Sequence, residues 1–225
     1  MMIKQGAAGN RRVPRTTGMK IFSKFIAPSI LLCVLSGCET HYATYDIMLT
    51  EAVAPRPKND TNGKQTIYHT DSLGIKKYCF ENDFVKIIWS PSAYGVGFTI
   101  DNKTDSSVTV LWDDAAYVNE VGSRYHVIHS GIRFINKRDL QSPTVIPKNE
   151  TLDDLVFPVD YIYGDMDGGW YEAPLWPDAS GSLGKLKSQS RAFFGKSFQV
   201  VLPLSVHDVV NEYTFTFFIR SASYK

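Results

Sequence analysis

Apolar and polar residues alternate along many short segments of the chain from residue 67 onward. The alternation is clearest at residues 85–89, 94–112 and 213–219, which are rich in β-branched and aromatic side chains. Alternation over five or more residues is typical of a half-buried strand. The polar cluster 101–105 predicts that residues 94–112 form a hairpin.

Another alternating run covers residues 198–204, where Pro203 predicts an edge strand or a strand end because proline cannot donate to a ladder. Shorter apolar runs predict strands at residues 75–80, 116–119, 123–128, 144–146 and 152–157.

These short strands, without a helical face longer than two turns, predict an all-β fold. We expect an immunoglobulin-like antiparallel β-sandwich over residues 67–225. Trp89, Phe98, Trp112 and Phe215 are the expected core residues because large aromatic side chains bury the most apolar area.

Residues 160–191 interrupt the strand pattern with a predicted long loop rich in glycine, proline and aromatic residues. Exposed tryptophan and tyrosine side chains on loops bind protein partners or stack on sugars. Trp170, Tyr171 and Trp176 are therefore the candidate contact residues. The alternative is that these rings fold back and cap the open end of the sandwich.

The start of the chain has the pattern of a secretory signal peptide over residues 1–37. Lys20 and Lys24 precede the apolar run 25–35, and small residues follow it. The run is about half the length of a membrane-spanning helix. Met19 stands where a signal peptide of ordinary length begins, so residues 1–18 are either a mis-assigned start or an extended basic region.

The sequence Leu35-Ser36-Gly37-Cys38 resembles the lipobox of bacterial lipoproteins. The resemblance implies that the Cys38 thiol is diacylated and that Cys38 becomes the first residue of the mature chain. The acyl chains then attach the protein to the membrane. Glu39 departs from the aspartate that retains such proteins in the inner membrane, which favours the outer membrane of a Gram-negative cell. The alternative is an ordinary signal peptide with an incidental cysteine.

Residues 38–66 are predicted to form the lipidated N-terminus and a linker. Pro55, Pro57 and Gly63 lie in this segment, which shows no sustained period. Such a composition indicates a semi-extended tether, and we expect it to lift the domain away from the bilayer.

Charge limits the partners that the sequence predicts. The formal net charge is +1, and it becomes −5 after Cys38 is exposed, because six basic and no acidic residues precede that position. An acidic domain argues against nucleic acid as a partner and against polybasic attraction to anionic lipid. Cys79 would then have no cysteine partner, so we expect it to be buried and inert.

Three short blocks are similar to sequences of uncharacterised bacterial lipoproteins with immunoglobulin-like domains. They are Asp101-Asn102-Lys103-Thr104, Leu111-Trp112-Asp113-Asp114 and Val127-Ile128-His129-Ser130-Gly131. The similarity spans about residues 84–158 and implies the fold and the anchor, with no active-site residues.

Two segments of the sequence partly match metal-binding patterns. Residues 165–168 resemble the start of a calcium loop but lack the glutamate that completes it. His126 and His129 could serve a metal-dependent hydrolase with Asp113 or Asp114, yet side chains three apart on a strand point to opposite faces. We therefore predict no catalytic residue, no metal site and no cofactor.

The sequence thus predicts a lipid-anchored cell-envelope protein that is not an enzyme and that binds an envelope protein partner or supports envelope assembly. The alternatives are carbohydrate or peptidoglycan binding through the aromatic loop and a metal-dependent hydrolase.

Overall fold

The computed structural model describes residues 39–53, 65–72, 75–164 and 167–225. The predicted signal peptide 1–37, the predicted lipidation residue Cys38 and residues 54–64 of the predicted linker lie outside the described residues. Within the described part of the chain, no helix is long and apolar enough to cross a membrane.

Strands make up most of the described chain, together with one α-helix and three short 3-10 helices. The 3-10 helices are Trp112–Asp114, Phe134–Asn136 and Val159–Tyr161. The strands and the helix are β1 (His41–Val53), β2 (Thr66–Ser72), β3 (Ile75–Glu81), β4 (Val85–Ser92), β5 (Gly95–Asn102), β6 (Val108–Val110), β7 (Ala116–Val118), β8 (Arg124–Ile128), β9 (Thr144–Ile146), β10 (Thr151–Pro158), β11 (Ile162–Gly164), β12 (Trp170–Glu172), β13 (Ala179–Ser180), α1 (Leu183–Arg191), β14 (Ser197–Val206) and β15 (Val209–Tyr224).

Thirteen strands form one continuous antiparallel sheet. Eleven of them follow the order β13-β1-β15-β14-β7-β8-β10-β5-β4-β3-β2, and β6 joins the sheet by pairing with both β14 and β9. The pairing between β8 and β10 is short: only Phe157 with Ile128 and Pro158 with Val127 are paired. The strands β11 and β12 form a separate two-stranded hairpin.

The core forms where the two ends of this sheet face each other. Trp89 of β4 lies 4.7 Å from Phe215 and 5.2 Å from Phe217 of β15, measured between ring centroids. Phe80 of β3 packs edge-to-face on Phe215 at 5.3 Å. Because these strands are far apart in the sheet order, the sheet must curl for their apolar faces to meet.

The all-β prediction is confirmed, and all four predicted core aromatics are buried. An immunoglobulin-like sandwich is not confirmed, because the β8–β10 pairing joins the strands into a single sheet.

The predicted hairpin over residues 94–112 is wrong. β5 pairs with β4 across a two-residue turn at Ala93 and Tyr94, whereas β6 pairs with β14 and β9. The buried amide nitrogen of Asn102, at the end of β5, lies 3.0 Å from the carbonyl oxygens of both Ile146 and Pro147. These bonds tie the end of β5 to the end of β9, so the chain crosses to the other part of the sheet.

Pro203 marks neither an edge nor a strand end, contrary to prediction. It lies inside β14, which pairs with β15 on one side along its whole length. On the other side, β14 pairs with β7 as far as Val201 and with β6 from Leu204 onward. Pro203 lies between these two partners. Its lack of a backbone N–H therefore costs the sheet no hydrogen bond.

The linker prediction is wrong for residues 41–53. These residues form β1, which pairs with β15 and buries Ile47 and Leu49. The register shifts between Asp46 and Ile47 and again between Leu49 and Glu51. Such β-bulges break the period of two, so the segment did not show the alternation of a strand.

Residues 160–191 do not form an open loop throughout. They contain a 3-10 turn, the strands β11, β12 and β13, and the nine-residue helix α1. Ser182 caps α1 by accepting from the backbone N–H of Lys185, and Leu186 is its deeply buried apolar residue. A single buried leucine gives little helical periodicity, which explains why α1 was not predicted.

Candidate binding surface

The hairpin β11–β12 presents aromatic side chains to solvent. Tyr163 and Tyr171 are directly opposite each other, and Trp170 pairs with Gly164. The exposed fractions of Trp170 and Tyr171 are 46% and 57%, and Tyr163 is similarly exposed. Two of the three predicted contact residues are therefore accessible.

The third, Trp176, is wrongly predicted to be a contact residue. Its exposed fraction is 2%, and its ring lies 5.3 Å from Phe198 and 5.7 Å from Tyr45. The Tyr45 hydroxyl donates to the carbonyl oxygen of Pro177 at 2.6 Å. Trp176 thus folds back onto the core, as the alternative interpretation of the aromatic loop expected.

A second segment, residues 131–140, packs beside the hairpin. Phe134 meets Trp170 edge-to-face at 6.1 Å, and the Lys137 ammonium lies 5.8 Å from the centroid of the Trp170 ring. Lys137 also donates to the carbonyl oxygens of Val159 and Ile162. Three contacts with the hairpin region hold the position of Lys137, and the cation–π contact orients the indole ring.

The same segment exposes aliphatic side chains. Ile135 and Leu140 have exposed fractions of 77% and 88%. Leu140 also lines a cleft of about 200 Å³ together with Val159 and Asp160, and Asp160 accepts from Arg138 at 2.5 Å. We call the combined set the aromatic hairpin surface; it comprises Phe134, Ile135, Leu140, Tyr163, Trp170 and Tyr171.

Sequence reasoning missed the contribution of residues 131–140. The apolar run Ile132-Arg133-Phe134-Ile135 is short and is followed by the polar residues 136–139, so the sequence pattern predicted no element and no role for it. The available signal was a set of apolar residues with neither a helical nor a strand period. A segment without such a period has no face to bury, so its apolar side chains stay exposed.

Aromatic rings pack around Tyr161, the residue directly before the hairpin. Tyr161 lies 5.6 Å from Tyr125 and 6.5 Å from Phe157, in edge-to-face arrangements. Burial raises the pKa of the Tyr161 hydroxyl, because the charged phenolate is poorly solvated there. The backbone N–H of Ala173 donates to the carbonyl oxygen of Tyr161, which fixes the chain just after β12.

The two histidines do not converge. The His129 ring stacks on Trp112 at 4.2 Å, and its Nδ1 lies 3.1 Å from Oδ2 of the buried Asp154 carboxylate. His126 is instead exposed and lines a cleft of about 340 Å³ with Asp113 and Asp114. In the described residues, no group of three or more His, Cys, Asp or Glu side chains is placed to hold a metal ion.

The remaining predicted positions are only partly described. Cys79 is buried and forms no disulfide with the described residues. Residues 165 and 166, which begin the calcium-like segment, and the predicted lipidation residue Cys38 lie outside the described residues.

Comparison with protein-family models, with curated proteins and with solved structures yields no match to this chain.

Proposed function

We propose that this protein is a lipid-anchored cell-envelope module, not an enzyme, that binds an envelope protein through the aromatic hairpin surface. The exposed Trp170 and Tyr171, oriented by the Phe134 and Lys137 contacts, are the observation that carries this proposal. Tryptophan and tyrosine held on a firm base are the residues that most often dominate protein interfaces. The anchor and the outer-membrane location rest on the lipobox resemblance.

A photo-reactive amino acid tests the surface in the cell envelope. Placed at Tyr163, it is expected to cross-link to one discrete protein partner. The double variant Trp170→Ala, Tyr171→Ala is expected to lower that yield about tenfold or more, because truncating a hot spot typically costs at least 2 kcal/mol of binding free energy.

The matched control is Val209→Ala, Val210→Ala, which truncates two exposed apolar side chains at the start of β15. It should leave the cross-link unchanged. An equal yield in all three proteins contradicts the proposed surface.

Carbohydrate binding is the second candidate, because Tyr163 and Tyr171 expose aromatic rings across from each other. Retention of the protein on purified peptidoglycan distinguishes carbohydrate binding from protein binding. Retention that disappears in the Trp170→Ala, Tyr171→Ala variant favours the sugar, whereas no retention by the unaltered protein excludes peptidoglycan.

A further inference from the structure

The folded domain begins almost immediately after Cys38. The first strand, β1, starts at His41, so only Glu39 and Thr40 separate it from the cysteine. Three residue steps of extended chain span about 10 Å. An acyl group on Cys38 would therefore hold the start of β1 within about 10 Å of the lipid headgroups.

The neighbours of the start of β1 come from later parts of the chain. His41 and Tyr42 pair with Ser180 and Ala179 of β13. Tyr42 and Lys225 exchange two backbone hydrogen bonds, both 3.0 Å long. These contacts fix which surface surrounds the attachment point.

Helix α1 lies against this region. The Tyr45 hydroxyl of β1 lies 2.9 Å from the Ser190 hydroxyl of α1. Leu186 and Ser190 are the buried residues of the helix, whereas Lys185, Lys187 and Arg191 are exposed.

Charge distinguishes this surface from the predicted mature chain as a whole, whose net charge is −5. The sequence of α1, Leu-Gly-Lys-Leu-Lys-Ser-Gln-Ser-Arg, has three basic residues and no acidic residue. The Lys187 ammonium lies 5.6 Å from the ring centroid of Tyr224, next to the start of β1. Glu39 and Asp178 are the nearby acidic residues in sequence, and Asp46 is paired with Arg220.

We propose that the exposed basic side chains of α1 rest on anionic phospholipid headgroups. These basic residues of α1 are Lys185, Lys187 and Arg191. The inference rests on the acyl anchor of the proposed function, and it replaces the expected spacer with direct contact between the domain and the membrane. Each basic residue near an anionic membrane raises the binding affinity about fivefold.

The test uses the acylated protein in phosphatidylcholine vesicles with and without 30% phosphatidylglycerol. An amine-acetylating reagent and mass spectrometry measure labelling of each lysine. Labelling of Lys185 and Lys187 should fall at least threefold in the anionic vesicles. Lys148 is the control: it follows β9, which lies with β6 at the Val206 end of β14, far from Tyr224.

The same mass spectra test the acyl anchor and the lipid contact of α1 separately. Absence of acyl mass on Cys38 contradicts the anchor, and this inference with it. Acylated protein whose Lys185 and Lys187 label equally in both kinds of vesicle overturns the inference alone. So does protection of these lysines that requires an envelope protein.

A variant adds a second measurement. In the Cys38→Ser chain, which cannot be acylated at this position, we expect weak, salt-sensitive binding to the anionic vesicles. Lys185→Glu with Lys187→Glu should abolish that binding, and Lys148→Glu should leave it unchanged. All three lysines are exposed, so folding should be preserved in each variant. If the Lys148→Glu change weakened vesicle binding as much as the Lys185→Glu, Lys187→Glu change, net charge alone would explain the binding. That result would contradict the proposal.

Discussion

At the scale of single residues, buried amides direct the path of the chain. The Asn102 side chain is a donor to backbone carbonyls and an acceptor for both the N–H and the hydroxyl of Thr104, at 2.9 and 2.8 Å. Asn82 acts similarly before β4: its oxygen accepts from Phe84 and Val85, and its nitrogen donates to the Tyr213 hydroxyl. Alternation of apolar residues does not reveal these bonds, since polar side chains make them, and the bonds to Tyr213, Ile146 and Pro147 also join distant parts of the chain.

Replacing Asn102 tests this role. Asn102→Ala should lower the free energy of unfolding by about 3 kcal/mol, because it leaves several buried backbone groups without a partner. The control Asn136→Ala changes an exposed side chain and should alter stability by about 0.5 kcal/mol or less. Urea unfolding of both variants measures the difference, and equal midpoints would contradict it.

At the scale of elements, alternation predicted strands far better than it predicted their partners. The strands β4, β5, β8, β10, β14 and β15 all lie where the pattern indicated. Their pairing was not predictable, because one pattern of buried positions fits several neighbours. β1 was not predicted, because its two bulges interrupt the alternation. Of the exposed binding surface, the sequence identified only Trp170 and Tyr171.

The turn between β14 and β15 gives an element-scale prediction. His207 and Asp208 both have positive φ, at 50° and 61°. This turn conformation favours glycine at the second position. Asp208→Gly should stabilise the protein by about 0.5–1 kcal/mol, because glycine adopts this φ without steric cost.

Asp208→Ala serves as the control, since alanine keeps the steric cost and loses the aspartate side chain. Thermal unfolding should show a higher midpoint for Asp208→Gly than for Asp208→Ala. The reverse order would contradict the assignment of strain to this turn.

At the scale of the whole molecule, buried tyrosines should limit stability at high pH. Burial raises the pKa of Tyr45 to about 12, and it also raises the pKa values of Tyr117 and Tyr213. In the unfolded chain these hydroxyls lose their protons near pH 10. The unfolded state therefore binds fewer protons than the folded state above that pH, and stability falls as pH rises from about 10 to 12.

Tyr117→Phe tests this effect by removing one buried hydroxyl and keeping the ring. Circular dichroism during an alkaline titration should show unfolding at a higher pH than in the unaltered protein. Tyr163→Phe changes an exposed residue and should leave the transition in place. A Tyr117→Phe transition at or below the original pH would contradict the explanation.

The pairing of β1 with β15 also determines when the molecule can finish folding. The hydroxyl of Ser223 donates to the carbonyl oxygen of Thr44, 179 positions earlier in the chain. Such distant contacts form late, because the intervening segment must first lose its freedom. β1 therefore lacks its neighbouring strand until β15 has been synthesised, and under the proposed anchoring, the enzymes that acylate Cys38 would act beside an unpaired strand.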